Sequence, residues 1–161
     1  MLTTLKFLYS ISLTLWVGSI FFLAFVAAPS IFKILTREQA GDVVSEIFPK
    51  YYLISYLCGA VALISSLLII YFSSTFSSTN SIIKIAVLFI MIGLAVYAGE
   101  INRPEAHKVR TEMRSLEEDS AEYQKIHKEF SRLHRTSAFT NGAIFILGIA
   151  LVLLNAYTNR E

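Results

Sequence analysis

Two runs of ionisable and amide side chains stand at the edges of long apolar segments in this chain. The run "EFSRLHRTSAFTN" leads into one apolar segment, and "EINRPEAH" follows another. Residues spaced by three or four positions lie on one face of a helix. One such face carries Phe130, His134, Ser137 and Asn141, and a second carries Glu100, Arg103 and His107. Imidazole, guanidinium and carboxylate groups placed in this way could bind an ion or a small polar solute.

The two runs come together if the chain between them folds as a helical hairpin. The acidic stretch "EEDS" predicts a turn, with Asp119 or Ser120 capping the second helix. If the turn lies near residue 119, two residues whose numbers add up to about 238 lie at the same height on the two helices of the hairpin. This register brings His134 close to Glu100 or Arg103. The predicted polar cluster at the mouth of the bundle consists of Glu100, Asn102, Arg103, His134, Ser137 and Asn141.

Such groups are costly near membrane depth unless they are paired, so each is a candidate binding residue. A purely structural interpretation stays equally open. In that interpretation Glu100 pairs with Arg103 on its own helix, and Asn141 forms an ordinary hydrogen bond between helices. His134 then caps a neighbouring carbonyl.

Metal binding is a separate hypothesis, because three histidines fall in the same hairpin: His107, His127 and His134. Imidazole together with nearby carboxylates suits zinc or a similar ion. A seven-residue separation puts His127 and His134 about 10 Å apart along the helix axis, so one ion could hold only one of them together with His107. A metal ion stays open as a ligand. Haem is disfavoured, since none of the apolar segments contains a histidine.

Four apolar segments must position these residues. Each is long enough to cross a bilayer, which takes roughly 20 helical residues. The composition, 55% apolar and 16% charged, is typical of a membrane protein. We therefore predict an all-α fold, an integral membrane four-helix bundle forming one domain over residues 1–161. The spans are predicted at about 5–28, 51–72, 82–101 and 136–157.

The first and third connections are predicted to be helical as well. Thr36 and Gln39 form a capping box that opens an amphipathic helix over 37–48, which Pro49 ends. This helix is predicted to lie at the membrane interface. Pro104 opens the first helix of a hairpin over 104–135, which extends the third and fourth spans beyond the membrane. The helix after the turn meets no stop signal before Asn155.

The distribution of positive charge predicts the orientation. Of the 14 Lys and Arg residues, all but Lys6, Lys84 and Arg160 fall in the first and third connections. Because Lys and Arg are retained on the cytoplasmic side, both termini should be external and these connections cytoplasmic, in a bacterial inner membrane. The second connection, "SSTFSSTNS", then forms an external turn. A net charge of +2 gives no reason to expect a nucleic-acid partner.

Four stretches of the chain carry a resemblance to a known family: "LWVGSIFFLAFVAAPSIF", "REQAGDVVSEIFPKYY", "EINRPEA" and "FSRLHRTSAFTN". The chain resembles, over nearly its whole length, the four-span membrane family of unknown function that includes human transmembrane protein 205. That family is grouped distantly with the membrane domain of copper-resistance protein D and with a haem-binding protoporphyrinogen oxidase. The resemblance implies a four-helix bundle and no reaction. Besides residues of the polar cluster, it implies as motif residues Trp16, Gly18, Pro29, Phe32, Phe48, Pro49 and Pro104.

Two classes of function remain open. One is the binding or transport of a metal ion or small solute at the polar cytoplasmic mouth. The other is a non-catalytic accessory or scaffold role, in which the hairpin docks a membrane-protein partner or a second copy. An enzyme is disfavoured and no catalytic residue is assigned, because the chain has no phosphate-binding glycine loop, no nucleophile elbow and no aspartate within a span.

Overall fold

The computed structural model describes residues 1–73 and 79–158, and within these ranges the chain is helical with no strand. Two segments are π-helical and continue directly into α-helices. The elements are α1 (Leu2–Phe21), π1 (Phe22–Ala27), α2 (Ala28–Ile34), α3 (Arg37–Ser73), α4 (Thr79–Val96), π2 (Tyr97–Asn102), α5 (Arg103–Arg114) and α6 (Ala121–Thr158). Most of the predicted second connection lies outside the described residues.

These elements form four long rods that are apolar enough to cross a membrane: Leu2–Ile34, Arg37–Ser73, Thr79–Arg114 and Ala121–Thr158. The last rod has 38 residues, which corresponds to about 57 Å and exceeds the hydrocarbon thickness by a wide margin. The excess length of the third and fourth rods forms the hairpin. This arrangement confirms the predicted all-α membrane bundle.

The rods pack as a ring in which α1 and α4 each lie between α3 and α6. The centre is filled by large side chains, among them Trp16, which is 0% exposed. Gly59 faces the ring of Trp16, and an added Cβ there would lie only 3.1 Å from it. Small residues at helix interfaces allow this close approach, which supplies the packing that holds helices together in lipid.

The prediction that Pro49 ends a separate helix is wrong. The capping box is confirmed, since the backbone N–H of Gln39 donates to Thr36 Oγ1 at 3.4 Å and that of Thr36 donates to Gln39 Oε1 at 3.3 Å. The helix that begins there then runs through Pro49 to Ser73. Proline removes one backbone hydrogen bond, but aromatic side chains on either side of it stack, with the rings of Phe48 and Tyr52 6.0 Å apart. Tyr51 and Tyr52 also belong to the buried core and Phe48 packs against it, so tertiary packing overrides the local stop signal.

The hairpin follows the predicted turn with one difference in length. Ser120 caps α6, because its Oγ accepts a hydrogen bond from the Tyr123 backbone N–H at 3.1 Å. Helix α5 ends at Arg114, about a turn before the acidic stretch that was predicted as the turn. Pro104 stands in the first turn of α5, as predicted, and π2 continues into that helix without a break. We call the end of the bundle that carries residues 103–135 the hairpin end.

A candidate binding groove at the hairpin end

A cavity of about 520 Å³ lies at the hairpin end. Helix α2 packs against α3 and α5 packs against α6, and the cavity, here called the groove, separates these two pairs. Its volume falls within the range of about 300–1,000 Å³ that is usual for small-molecule sites. The apolar wall includes Phe25, Phe32, Phe130 and Phe145. The polar and ionisable lining residues are Ser45, Tyr51, Tyr52, Arg103, His107, Arg110, His134, Ser137 and Asn141.

A hydrogen-bonded network joins α3 to α6 along the groove. The hydroxyl of Tyr51 donates to Asn141 Oδ1 at 2.7 Å, and Asn141 Nδ2 donates to the hydroxyl of Tyr52 at 3.4 Å. The same amide nitrogen donates to the carbonyl of Ser137 at 3.0 Å. Both tyrosines are buried and Asn141 is half-buried. The side-chain amide of Asn141 therefore holds α3 and α6 at a fixed separation, and one side of this amide faces the groove.

Arg103 is the cationic residue of the groove with the fewest partners. Its Nε donates to the carbonyl of Gly99 at 3.2 Å, and it forms no ion pair within the described residues. Gly99 is glycine because an added Cβ would overlap the hydroxyl of Tyr56. This close approach places the start of α5 against α3. The guanidinium of Arg103 is therefore available to a ligand in the groove.

Glu100 and Asn102 lie outside the groove, although the prediction placed both in the polar cluster. The carboxylate of Glu100 accepts a hydrogen bond from Tyr56 at 2.8 Å, so it turns towards α3. In the described chain it pairs with neither His134 nor Arg103. Asn102 is 2% exposed and joins π2 to α6, donating to the Leu133 carbonyl at 3.0 Å and to Ser137 Oγ at 2.6 Å. Its contact with Ser137 matches the predicted hairpin register.

The three histidines do not converge. His107 and His134 line the groove, and the ring of His134 stacks on Phe130 with centroids 6.3 Å apart. His127 stacks on Tyr123 further along α6 and does not line the groove. No group of three His, Cys, Asp or Glu residues suited to a metal ion occurs in residues 1–73 and 79–158. Of the two pairings that the metal hypothesis allowed, His107 with His134 shares the groove, and His127 stands apart from it.

An ionic cluster that was not predicted from the sequence closes the end of the groove that lies furthest along the hairpin. Asp42, on the part of α3 that precedes its apolar segment, accepts hydrogen bonds from Arg110 at 3.1 Å and from Arg114 at 2.7 Å. The hydrogen bond from Arg114 and the nearby charges hold the pKa of the Asp42 carboxyl below its usual range. The guanidinium of Arg110 lies across Gly41, where an added Cβ would overlap it. The spacing of Arg110 and Arg114 by four positions was the available sequence signal.

The fold and the groove define a small integral membrane protein with a largely apolar cavity, lined also by a few polar groups, at one end of a four-helix bundle. The chain belongs to the family described as a domain of unknown function, DUF4149, whose model matches residues 11–115. The match runs from α1 to the end of α5 and includes Arg103, His107 and Arg110. The groove residues on α6 lie beyond it.

One relative is an uncharacterized protein of Aquifex aeolicus (strain VF5). It is 48% identical over 42 residues, which cover 26% of this chain and 30% of that protein. The matched segment therefore spans less than a third of the relative. No solved structure matches the chain significantly.

Proposed function

We propose that this membrane protein binds a small organic solute in the groove and thereby transports or presents it. One observation carries the proposal: four of the six residues expected to form a polar mouth line a single cavity of ligand size. They are Arg103, His134, Ser137 and Asn141. The same cavity has an extensive aromatic and aliphatic wall, and binding sites for organic molecules combine such walls with a few polar groups.

An organic solute fits the groove better than a metal ion does. Metal sites for hard or borderline cations use carboxylate, imidazole or thiolate ligands. None of the described residues that line the groove is an aspartate, glutamate or cysteine, whereas two are arginines. A cation would meet like charge there without a compensating carboxylate. We therefore favour an organic solute over a metal ion as the ligand of the groove.

A pair of glycine substitutions tests the proposal. A Cβ added at Gly142 or at Gly93 would meet no other described side chain or distant backbone within 4 Å, so a side chain can start from either site without displacing a neighbour. Gly142 lines the groove and Gly93, on α4, does not. We expect Gly142→Phe to abolish retention of a bound solute and Gly93→Phe to preserve it. The readout is native mass spectrometry of protein purified in a mild detergent.

Two results would contradict the proposal. In the first, the parent protein carries no solute and takes up none from a lipid or metabolite extract. In the second, both glycine variants lose the solute equally, which means that the groove is not where it binds. Recovery of a stoichiometric protein partner, lost when the hairpin is altered, would instead favour the accessory role.

We further propose that the hairpin end faces the cytoplasm of a bacterial inner membrane, with both termini external. The support is the concentration of Lys and Arg in the first and third connections. Membership of the four-span family that includes human transmembrane protein 205, and through it a distant relationship to the copper-resistance protein D membrane domain, is likewise a proposal. It is supported by the four stretches of sequence on which the resemblance rests.

A further inference from the structure

We infer that the occupant of the groove is a single-chain anionic amphiphile, with a carboxylate or phosphate head and a hydrocarbon tail. This inference rests on the proposed function and adds the chemical class of the solute. Three features carry it: the charge of the lining, the shape of the apolar wall and the position of the groove at the edge of the membrane-spanning region.

The charge of the groove favours an anionic head. Its ionisable lining residues are two arginines and two histidines, and no carboxylate lines it within the described residues. Asp42 already accepts hydrogen bonds from Arg110, so that this arginine is largely neutralised. Arg103 has no such partner in the described chain. A planar guanidinium binds carboxylate and phosphate oxygens through paired hydrogen bonds, so Arg103 is the assigned head-binding residue.

The apolar wall favours a tail that reaches the groove from the bilayer. Phe25 of π1 is 62% exposed and Phe32 of α2 is 49% exposed, and both line the groove. Phe145 of α6 packs directly against Phe25, with ring centroids 6.2 Å apart, so the two rings form one continuous part of the wall. A hydrocarbon chain lying against these rings is continuous with the lipid outside. An entirely polar solute would leave this wall without a partner.

The head, and not the tail, should decide the affinity. In a bilayer the hydrocarbon chain is surrounded by apolar groups whether it is bound or free, so burial against protein adds little. The charged head gains more from binding, because the guanidinium of Arg103 offers oriented hydrogen-bond donors that replace the water around the head at the edge of the hydrocarbon region. The proposal therefore predicts strong dependence on the charge of the head and weak dependence on the length of the tail.

Binding of defined probes to purified protein in a maltoside detergent tests this inference. The probes are dodecyl phosphate, dodecanoate, dodecanol and inorganic phosphate, and binding is measured by native mass spectrometry over a concentration series. We expect both anionic amphiphiles to bind the parent at least about tenfold more tightly than dodecanol. Inorganic phosphate should bind far more weakly than dodecyl phosphate, because without a tail it stays in water and is not held at the edge of the apolar region beside the groove.

Matched variants assign the head group to Arg103. Arg103→Gln should weaken binding of dodecyl phosphate by about ten- to a hundredfold and leave dodecanol unchanged. Arg135→Gln removes a charge from an exposed position of the hairpin that does not line the groove and should leave both unchanged. Arg103→Lys keeps the charge but not the paired donors and should restore part of the anion binding, which excludes simple unfolding as the cause.

The outcomes separate this inference from the proposed function. If dodecanol binds as tightly as dodecyl phosphate and Gly142→Phe blocks both, the groove binds solutes but the anionic class is wrong. If inorganic phosphate binds alone, the site takes free anions and the amphiphile is wrong. If Gly142→Phe abolishes the binding of none of the probes, and the parent protein retains no endogenous solute, the proposed function fails as well.

Discussion

The hydrogen bond between Tyr51 and Asn141 offers a sharp test of how α3 and α6 are held together. Replacing Tyr51 by Phe removes a donor that lies 2.7 Å from Asn141 Oδ1. Replacing Tyr52 by Phe removes a ring hydroxyl of the same kind, but one whose contact with Asn141 Nδ2 is 3.4 Å. The two variants remove the same atom from adjacent buried residues and differ in the length of the bond that is lost.

The expected magnitudes follow from these distances and from the exposure of each partner. Hydrogen bonds between membrane helices contribute about 0.6 kcal/mol on average and up to about 1.7 kcal/mol. Tyr51→Phe should therefore lower the free energy of unfolding by about 1 kcal/mol, since its bond is short. Tyr52→Phe should lower it by less than about 0.5 kcal/mol, because a 3.4 Å contact is weak. Asn141→Leu should lower it by about 2 kcal/mol, since it also strands the hydroxyl of Tyr51, which is 5% exposed.

Reversible unfolding in mixed detergent micelles, followed by circular dichroism, measures these differences. A double-mutant cycle of Tyr51→Phe with Asn141→Leu should return a coupling energy of about 0.6–1.7 kcal/mol. The reasoning is refuted if Tyr52→Phe is as destabilising as Tyr51→Phe, or if the double variant is the plain sum of the single ones.

Three further expectations concern the charged residues and the orientation. Asp42→Asn should speed hydrogen exchange over residues 37–45, because the carboxylate that accepts from both arginines of α5 becomes a neutral amide oxygen, a weaker acceptor. Since the pKa of Asp42 is lowered in the fold, the stabilisation is present above the unfolded value of about 3.9 and lost as pH falls through the folded value. The variant should lack this acid-dependent step. Unchanged exchange would contradict this role. His134→Ala should change the free energy of unfolding by less than about 0.5 kcal/mol, since the ring is exposed and stacks only on one phenylalanine in the described chain, and a larger loss in chemical denaturation would show a structural role. A fluorescent protein that matures only in the cytoplasm, fused after Glu161, should stay dark, and a bright fusion would reverse the proposed orientation.

The helices, the caps and the hairpin register could be predicted from the sequence because their signals are local. Thr36 and Gln39 are three residues apart, and each satisfies a backbone or side-chain group of the other. Ser120 follows an acidic turn and precedes a long uninterrupted helical pattern. With the turn fixed, counting outward along two helices brought Asn102 level with Ser137. Each step needs only helix geometry and the rules for helix ends.

The partners of the candidate site could not be predicted in this way because they depend on packing between distant elements. Glu100 and Arg103 have the spacing of an intrahelical ion pair, yet Glu100 bonds to Tyr56 on α3. Asp42 lies 68 residues from Arg110 in the chain, and only the folded bundle brings them together. Pro49 is a strong local stop signal that the surrounding aromatic packing overrides. The spacing of residues along one helix does not show which partners on other helices compete for their side chains.

The π-helical segments have a consequence for how this family should be compared residue by residue. A π-helical turn accommodates one residue more than an α-helical turn of similar rise, so π2 rotates everything that follows it by about 100° relative to an unbroken α-helix. Deleting a single residue within 97–102 would let the rod revert to a regular α-helix in which Arg103 keeps its direction, because the lost residue and the lost wide turn cancel. Straightening the same six residues into an α-helix without a deletion would instead turn Arg103 away from the groove by that angle. A relative with a gap of one residue here can therefore keep the groove residues of α5 in place, whereas a relative without the gap needs the π-helical turn to do so.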